Sequence, residues 1–218
     1  MLLYYITDRK QFAGTEVLRC RELLRKIGEA ARLGVDFIQL REKDLPAQEL
    51  EKLAHEAVET IAASSSNTRL LINSRTDVAL AVGADGVHLR SADISAEDVH
   101  QVWSTAGAKQ KPVIGLSCHT EHEVARAVQG GAEFAVFGPV FEKRNTFGEP
   151  AGIDQLRSAC GYRIPVFALG GVTPENAPMC VRAGAAGIAG IRLFQEWDMG
   201  QSVAALRALS PSGIAQDP

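Results

Sequence analysis

One phrase occurs four times along this chain of 218 residues, and its spacing limits the possible folds more than any other feature. It reads Gly34-Val35-Asp36-Phe37-Ile38-Gln39-Leu40-Arg41, then Gly83-Ala84-Asp85-Gly86-Val87-His88-Leu89-Arg90. It returns as Gly131-Ala132-Glu133-Phe134-Ala135-Val136-Phe137-Gly138 and as Gly184-Ala185-Ala186-Gly187-Ile188-Ala189-Gly190-Ile191-Arg192. The leading glycines are 49, 48 and 53 residues apart. Each closes an apolar-periodic segment, where a left-handed helix cap costs glycine little, and a short β run follows. A recurrence at such a period marks a repeating supersecondary unit. Each interval holds two strand–helix units, so four copies of the phrase stand for eight, the number in a closed barrel. The predicted fold class is α/β: a single TIM (β/α)8 barrel over residues 1–209, with residues 210–218 as a frayed tail.

Strands are predicted at residues 3–7, 37–40, 69–72, 86–89, 112–115, 134–137, 165–169 and 187–191. They are short, near-continuous apolar runs, as expected of a parallel sheet covered by helices. Helical periodicity fills residues 15–33, 46–63 and 76–82. Ser95 and Thr120 supply caps for two further helices, and Thr173-Pro174-Glu175 reads as the start of the seventh. An open doubly wound sheet is the competing architecture; the fourfold recurrence favours closure.

A net charge of −3 and a pI near 6.0 give no reason to expect nucleic acid or a membrane surface as partner. Any phosphate recognition must then come from a local site. Cys20, Cys118, Cys160 and Cys180 form no CxxC pair and read as reduced, mostly buried thiols. No basic leader precedes the first strand, and no apolar run approaches the ~20 residues of a membrane span. The expected location is the cytoplasm, the expected partners are small phosphorylated molecules, and a homodimer is left open.

A closed parallel barrel gathers the residues after each strand at one mouth. Asp8, Arg41, Lys43, Asn73, Asp93, Ser117, His119, Gly171 and Arg192 would meet there. Strand alternation puts Gln39, Arg41 and Lys43 on one face, with Leu40 and Glu42 on the other. Three inward donors suit an anion; the alternative is that Arg41 and Lys43 pair with Glu42 or Asp44 in solvent. Gly171 and the Gly187–Arg192 stretch sit where TIM barrels often bind phosphate, with Arg192 adding a charge-assisted contact. The same glycines also suit tight helix–sheet packing. Asp93 can hold Mg²⁺ together with ligand phosphate and water, or cap the following helix. His119 is either an acid–base group or polar surface. His55, His88, His100 and His122 follow no pattern, and neither a Ser-His-Asp arrangement nor HExxH occurs.

Six motifs occur in order: Tyr5-Ile6-Thr7-Asp8, Gln39-Leu40-Arg41-Glu42-Lys43, Gly86-Val87-His88-Leu89, Gly115-Leu116-Ser117-Cys118-His119-Thr120, Gly138-Pro139-Val140-Phe141 and Leu169-Gly170-Gly171-Val172. Together they resemble the thiamine phosphate synthase/thiazole tautomerase (TenI) superfamily of barrels, from Tyr4 to Phe194. The resemblance implies a Mg²⁺-dependent synthase that joins hydroxymethylpyrimidine diphosphate to thiazole phosphate and releases pyrophosphate. It implies Arg41, Lys43 and Ser117 as catalytic residues, Gln39 and Asn73 as contacts to the pyrimidine diphosphate, and His119 as a further substrate-binding residue. Gly171, Ile191 and Arg192 would surround the thiazole phosphate, and Lys143 and Arg144 would bind substrate from the loop after strand 6. Asp93 and Ser74 would be the metal ligands.

Several positions depart from the family pattern. Synthases carry Asp where this chain has Ser74, and Thr-x-Thr-Lys where it has Glu142-Lys143-Arg144-Asn145-Thr146. The last strand ends in Arg192 where Ser is usual, and Pro139 stands where the tautomerases have their His. The alternatives are therefore a tautomerase, a barrel that binds thiamine-type phosphates without catalysis, and an unrelated phosphate-binding barrel such as one from tryptophan biosynthesis.

Overall fold

The computed structural model describes residues 1–64, 67–142, 149–196 and 198–209, and it forms a closed barrel of eight parallel strands in sequential order. The elements are β1 (Leu2–Ile6), α1 (Glu16–Arg32), β2 (Phe37–Leu40), α2 (Ala47–Ala63), β3 (Arg69–Asn73), α3 (Thr76–Val82), β4 (Gly86–Leu89), α4 (Ala96–Thr105) and β5 (Val113–Cys118). They continue as α5 (Glu121–Gln129), β6 (Phe134–Phe137), α6 (Gly152–Cys160), β7 (Val166–Leu169), α7 (Ala177–Arg182), β8 (Gly187–Gly190), α8 (Arg192–Gln195) and α9 (Met199–Ala208). The ring closes through the pairing of Leu2 with Gly187 and Tyr4 with Ala189. The tail at residues 210–218 lies outside the described residues.

The recurring phrase has a physical cause beyond its glycines. Gly34, Gly83, Gly131 and Gly184 all take positive φ, as a left-handed stop after a helix requires. Two residues later an acid reaches back to the preceding strand. Asp36 Oδ2 accepts from Leu3 N at 2.7 Å, Asp85 Oδ2 from Leu70 N at 2.8 Å, and Glu133 Oε2 from Ile114 N at 2.5 Å. The fourth copy has Ala186 in place of the acid, and its carbonyl accepts from Leu2 N of β1, the next strand round the ring, at 3.0 Å. The first three copies therefore each satisfy a donor at the foot of an odd-numbered strand, β1, β3 or β5, in keeping with a phrase that returns once per two strands.

Alternation splits each strand between two cores. Leu3, Tyr5, Ile38, Leu40, Leu70, Ile72, Val87, Ile114, Ala135, Phe137, Val166, Ala168 and Ile188 pack outward against the helices. Tyr4, Ile6, Leu71, Val113, Phe134, Val136, Phe167 and Ala189 fill the inside. Tyr4, Phe37, Phe134 and Phe167 stack at the lower end with ring centroids 5.0–6.0 Å apart. The four cysteines are free. No helix among the described residues is long and apolar enough to cross a membrane.

Most boundaries fall within a residue of expectation, and two differ by three residues or more. β5 runs on to Cys118, because Ser117 and Cys118 pair with Val136 and Phe137 of β6. α7 begins at Ala177, not at Thr173. Thr173–Glu175 forms a turn instead, held by Asn176, whose Oδ1 accepts from Thr173 N at 2.8 Å.

Candidate active site

A cavity of about 710 Å³ opens at the carboxyl ends of the strands. On the β2 side it is lined by Gln39, Arg41 and Lys43, as the alternation predicted. Glu42 points the other way and is buried, accepting from Thr7 Oγ1 at 2.6 Å and from Arg9 Nη1 at 3.0 Å. Asp44 accepts from Arg9 Nη1 and Nη2 at 2.8 and 2.9 Å and pairs with Lys10 at 3.1 Å. Both acids are thus committed to other cations, and among the described residues no carboxylate pairs with Arg41 or Lys43. Partial burial, together with repulsion from Arg41 and Arg90, pushes the Lys43 ammonium pKa down. Three cations near one another with so little acid between them suit an anion with more than one charge.

Asn73 lines the cavity beside them. Ser74, with φ of +59°, donates to Asp93 Oδ2 at 2.5 Å and accepts from Asn73 Nδ2 at 3.1 Å. Asp93 also takes Arg90 N at 2.8 Å and Arg90 Nη2 at 2.7 Å. Burial raises its pKa, but the Arg90 and Ser74 hydrogen bonds outweigh that and hold it below the usual carboxylate range. The Arg90 guanidinium lines the cavity; Asp93 and Ser74 stand behind it. Asp8 likewise turns from the cavity to cap the 3-10 turn at Arg9–Gln11.

No group of three or more His, Cys, Asp or Glu side chains among the described residues is arranged to hold a metal. Asp93 and Ser74 offer one carboxylate and one neutral oxygen. That set fits only a Mg²⁺ that takes most of its ligands from a diphosphate and water, with Arg90 moved off Asp93.

Across the ring, β7 and β8 carry Gly170, Gly171, Gly190, Ile191 and Arg192 to the cavity wall. Gly171 has φ of +66°, and a Cβ there would come within 2.6 Å of the Glu142 carbonyl. Packing and backbone conformation both require glycine at this point. Asn176 Nδ2 fixes this loop by donating to Gly171 O at 2.9 Å, a role that sequence reading missed. Arg192 is half-buried and has no carboxylate partner among the described residues. Glu142 and Glu196 contribute the acidic part of the lining. Lys143 and Arg144 fall outside the described residues.

Between the two charged sides lie Gln39, Ser117, His88, Ile6, Leu169 and Ala189. His119 also reaches the wall, its Nδ1 within 2.6 Å of the Gly138 carbonyl. His88 had no pattern in the sequence, yet it sits at the cavity base. The available signal was its register in β4, two residues after Gly86 on the inward face.

A sequence profile of the family described as thiamine monophosphate synthase matches residues 3–194. The chain belongs to this family. A Geobacter sulfurreducens protein named "Putative thiamine-phosphate synthase" is 43% identical over 213 residues, covering 96% of this chain and 94% of the relative. A Roseiflexus castenholzii thiamine-phosphate synthase is 35% identical over 191 residues, covering 86% and 78%. Among solved structures, thiamine phosphate pyrophosphorylase from Pyrococcus furiosus superposes with a TM-score of 0.78 at 28% identity, covering 95% of this chain and 94% of the other. A 3-hexulose-6-phosphate synthase at 19% identity and a TM-score of 0.67 shares the fold alone. This member of the thiamine monophosphate synthase family presents Gln39, Arg41 and Lys43 from β2, and Gly171, Ile191 and Arg192 after β7 and β8, to one cavity.

Proposed function

We propose that this chain is a thiamine phosphate synthase, a transferase joining hydroxymethylpyrimidine diphosphate to thiazole phosphate. The observation that carries the proposal is a cavity with two separate anion-binding sides, one on β2–β4 and one on β7–β8. Two phosphorylated reactants can then sit with their uncharged rings facing each other over the neutral floor. Gln39, Asn73 and His119 orient the pyrimidine diphosphate, and Gly171, Ile191 and Arg192 hold the thiazole phosphate. The bond between the pyrimidine methylene carbon and the diphosphate oxygen breaks, its electron pair leaving with pyrophosphate. The thiazole nitrogen gives its lone pair to that carbon, forming the new C–N bond.

Arg41 and Lys43, with no carboxylate partner among the described residues, stabilise charge as it builds on the leaving group. Ser117 donates to the same oxygens. No step requires a general base. Mg²⁺, when bound by Asp93 and Ser74 together with the diphosphate, would supply further charge neutralisation. We place this reaction in the cytoplasm, acting on small molecules and not on nucleic acid or membrane. The deciding test is purified protein with both substrates, with and without Mg²⁺, read out as thiamine phosphate. Absence of product under both conditions removes the proposal.

A further inference from the structure

A line of hydrogen bonds runs through the barrel interior to the cavity base. Gln39 Nε2 donates to Tyr4 Oη at 3.0 Å, Tyr4 Oη lies 3.1 Å from His88 Nδ1, and His88 Nε2 lies 2.8 Å from Ser117 Oγ. Tyr4, Gln39 and His88 are 0%, 1% and 2% exposed, so water cannot reassign these partners. A phenol carries one proton. Its oxygen already accepts from Gln39, so that proton goes to His88 Nδ1. Nδ1 must then be bare, and a neutral imidazole carries its hydrogen on Nε2, facing Ser117. Ser117 Oγ accepts it and is left with its own proton to direct elsewhere. The open direction is the cavity, where Ser117 forms part of the wall beside Arg41 and Asn73.

We propose that Tyr4 and His88 are positioning residues that fix the polarity of Ser117, holding it as a hydrogen-bond donor toward the diphosphate of the substrate. With Nδ1 taking the Tyr4 proton the ring is neutral and has one hydrogen to place, on Nε2. Ionised phosphate oxygens only accept hydrogen bonds, so a serine held as acceptor would repel the ligand and a serine held as donor binds it. The identity of the ligand rests on the function proposed above; the polarity of the relay does not.

Two measurements test it on the full-length protein. Long-range ¹H–¹⁵N spectra of histidine-labelled protein report which ring nitrogen carries hydrogen. Single Asn replacements of His55, His100, His119 and His122 identify the His88 signals by elimination. The expected result is the Nε2–H tautomer, and an Nδ1–H tautomer overturns the proposal without any variant of the relay having to fold.

The second measurement is binding of inorganic pyrophosphate by wild type, Tyr4→Phe, Ser117→Ala and the double variant, each checked by thermal melting. Each single change should weaken binding about tenfold, and the double variant should be no weaker than Ser117→Ala alone. Independent, multiplying losses mean that Tyr4 does not act through Ser117 and overturn the positioning role. Wild type that binds no pyrophosphate would count against the proposed function, while the tautomer still decides the relay.

Discussion

Arg9 and Glu42 form an ion pair in the protein interior, Nη1 to Oε2 at 3.0 Å, with side chains only 3% and 1% exposed. The same guanidinium grips Asp44 at 2.8 Å and touches Glu16 through Nε. Arg9 thereby draws away the two acids adjacent in sequence to Arg41 and Lys43.

Arg9→Ala should therefore do two kinds of damage. It leaves the buried Glu42 carboxylate without its cation, at a cost of about 3–5 kcal/mol. Burial already pushes the Glu42 carboxyl pKa up against the pull of Thr7 and Arg9, so it will lie higher still in the variant. Urea unfolding of Arg9→Ala and Glu42→Gln measures the loss. A change under 1 kcal/mol in Arg9→Ala would show that the pair is not the organiser described.

The two anion sides should separate in binding experiments. Arg41→Ala and Lys43→Ala should each weaken inorganic pyrophosphate by roughly 10–100-fold, the range for a lost charge-assisted hydrogen bond. Arg192→Ala should weaken thiazole phosphate by a similar factor while leaving unphosphorylated thiazole alcohol nearly unchanged. Calorimetric titration of each variant against each ligand reads this directly. Equal weakening of phosphorylated and unphosphorylated ligands by Arg192→Ala removes the phosphate assignment.

Competition at Asp93 sets the metal requirement. Arg90 covers both Asp93 oxygens, so Arg90→Ala should lower the Mg²⁺ concentration needed for half-maximal turnover. Ser74→Asp, which adds a second anionic ligand, should lower it further. Asp93→Asn should abolish turnover with an unchanged melting temperature. Full activity of Asp93→Asn in chelating buffer would show that no metal takes part.

His88 should leave a signature in acid stability. Its pKa in the fold is about 3, against 6.5 for an unperturbed histidine. Above pH 6.5 neither state holds the extra proton and the contribution is fully present. As pH falls from 6.5 toward 3, the unfolded chain takes up a proton that the fold refuses. Stability then drops by up to about 1.4 kcal/mol per pH unit on this account. The difference in unfolding free energy between wild type and His88→Asn, measured from pH 7 to pH 4, should carry that slope. A difference independent of pH would mean that His88 titrates normally.

Recurrence and alternation made the barrel legible in the sequence, because both report directly on backbone geometry. Gly34, Gly83, Gly131 and Gly184 marked the helix stops, and the register of Gln39 and Arg41 placed them inward as expected. What stayed hidden depended on partners distant in sequence. His88 gains its role from Tyr4, 84 residues earlier, and Ser117, 29 later, and no local pattern encodes such contacts. Asn176 looked like part of a helix start, since Thr173-Pro174-Glu175 is itself good cap chemistry. The tie to Gly171 O pulls that segment into a turn instead. Asp93 follows β4 as the sequence suggested, but its capture by Arg90, which leaves it behind the cavity wall, is a side-chain choice that spacing alone does not reveal.

The aromatic stack of Tyr4, Phe37, Phe134 and Phe167 turns the barrel into a blind alley. Both reactants of a two-substrate reaction therefore share the mouth at the carboxyl ends of the strands, and four rings that form no part of the cavity wall settle which end of the barrel is open to them.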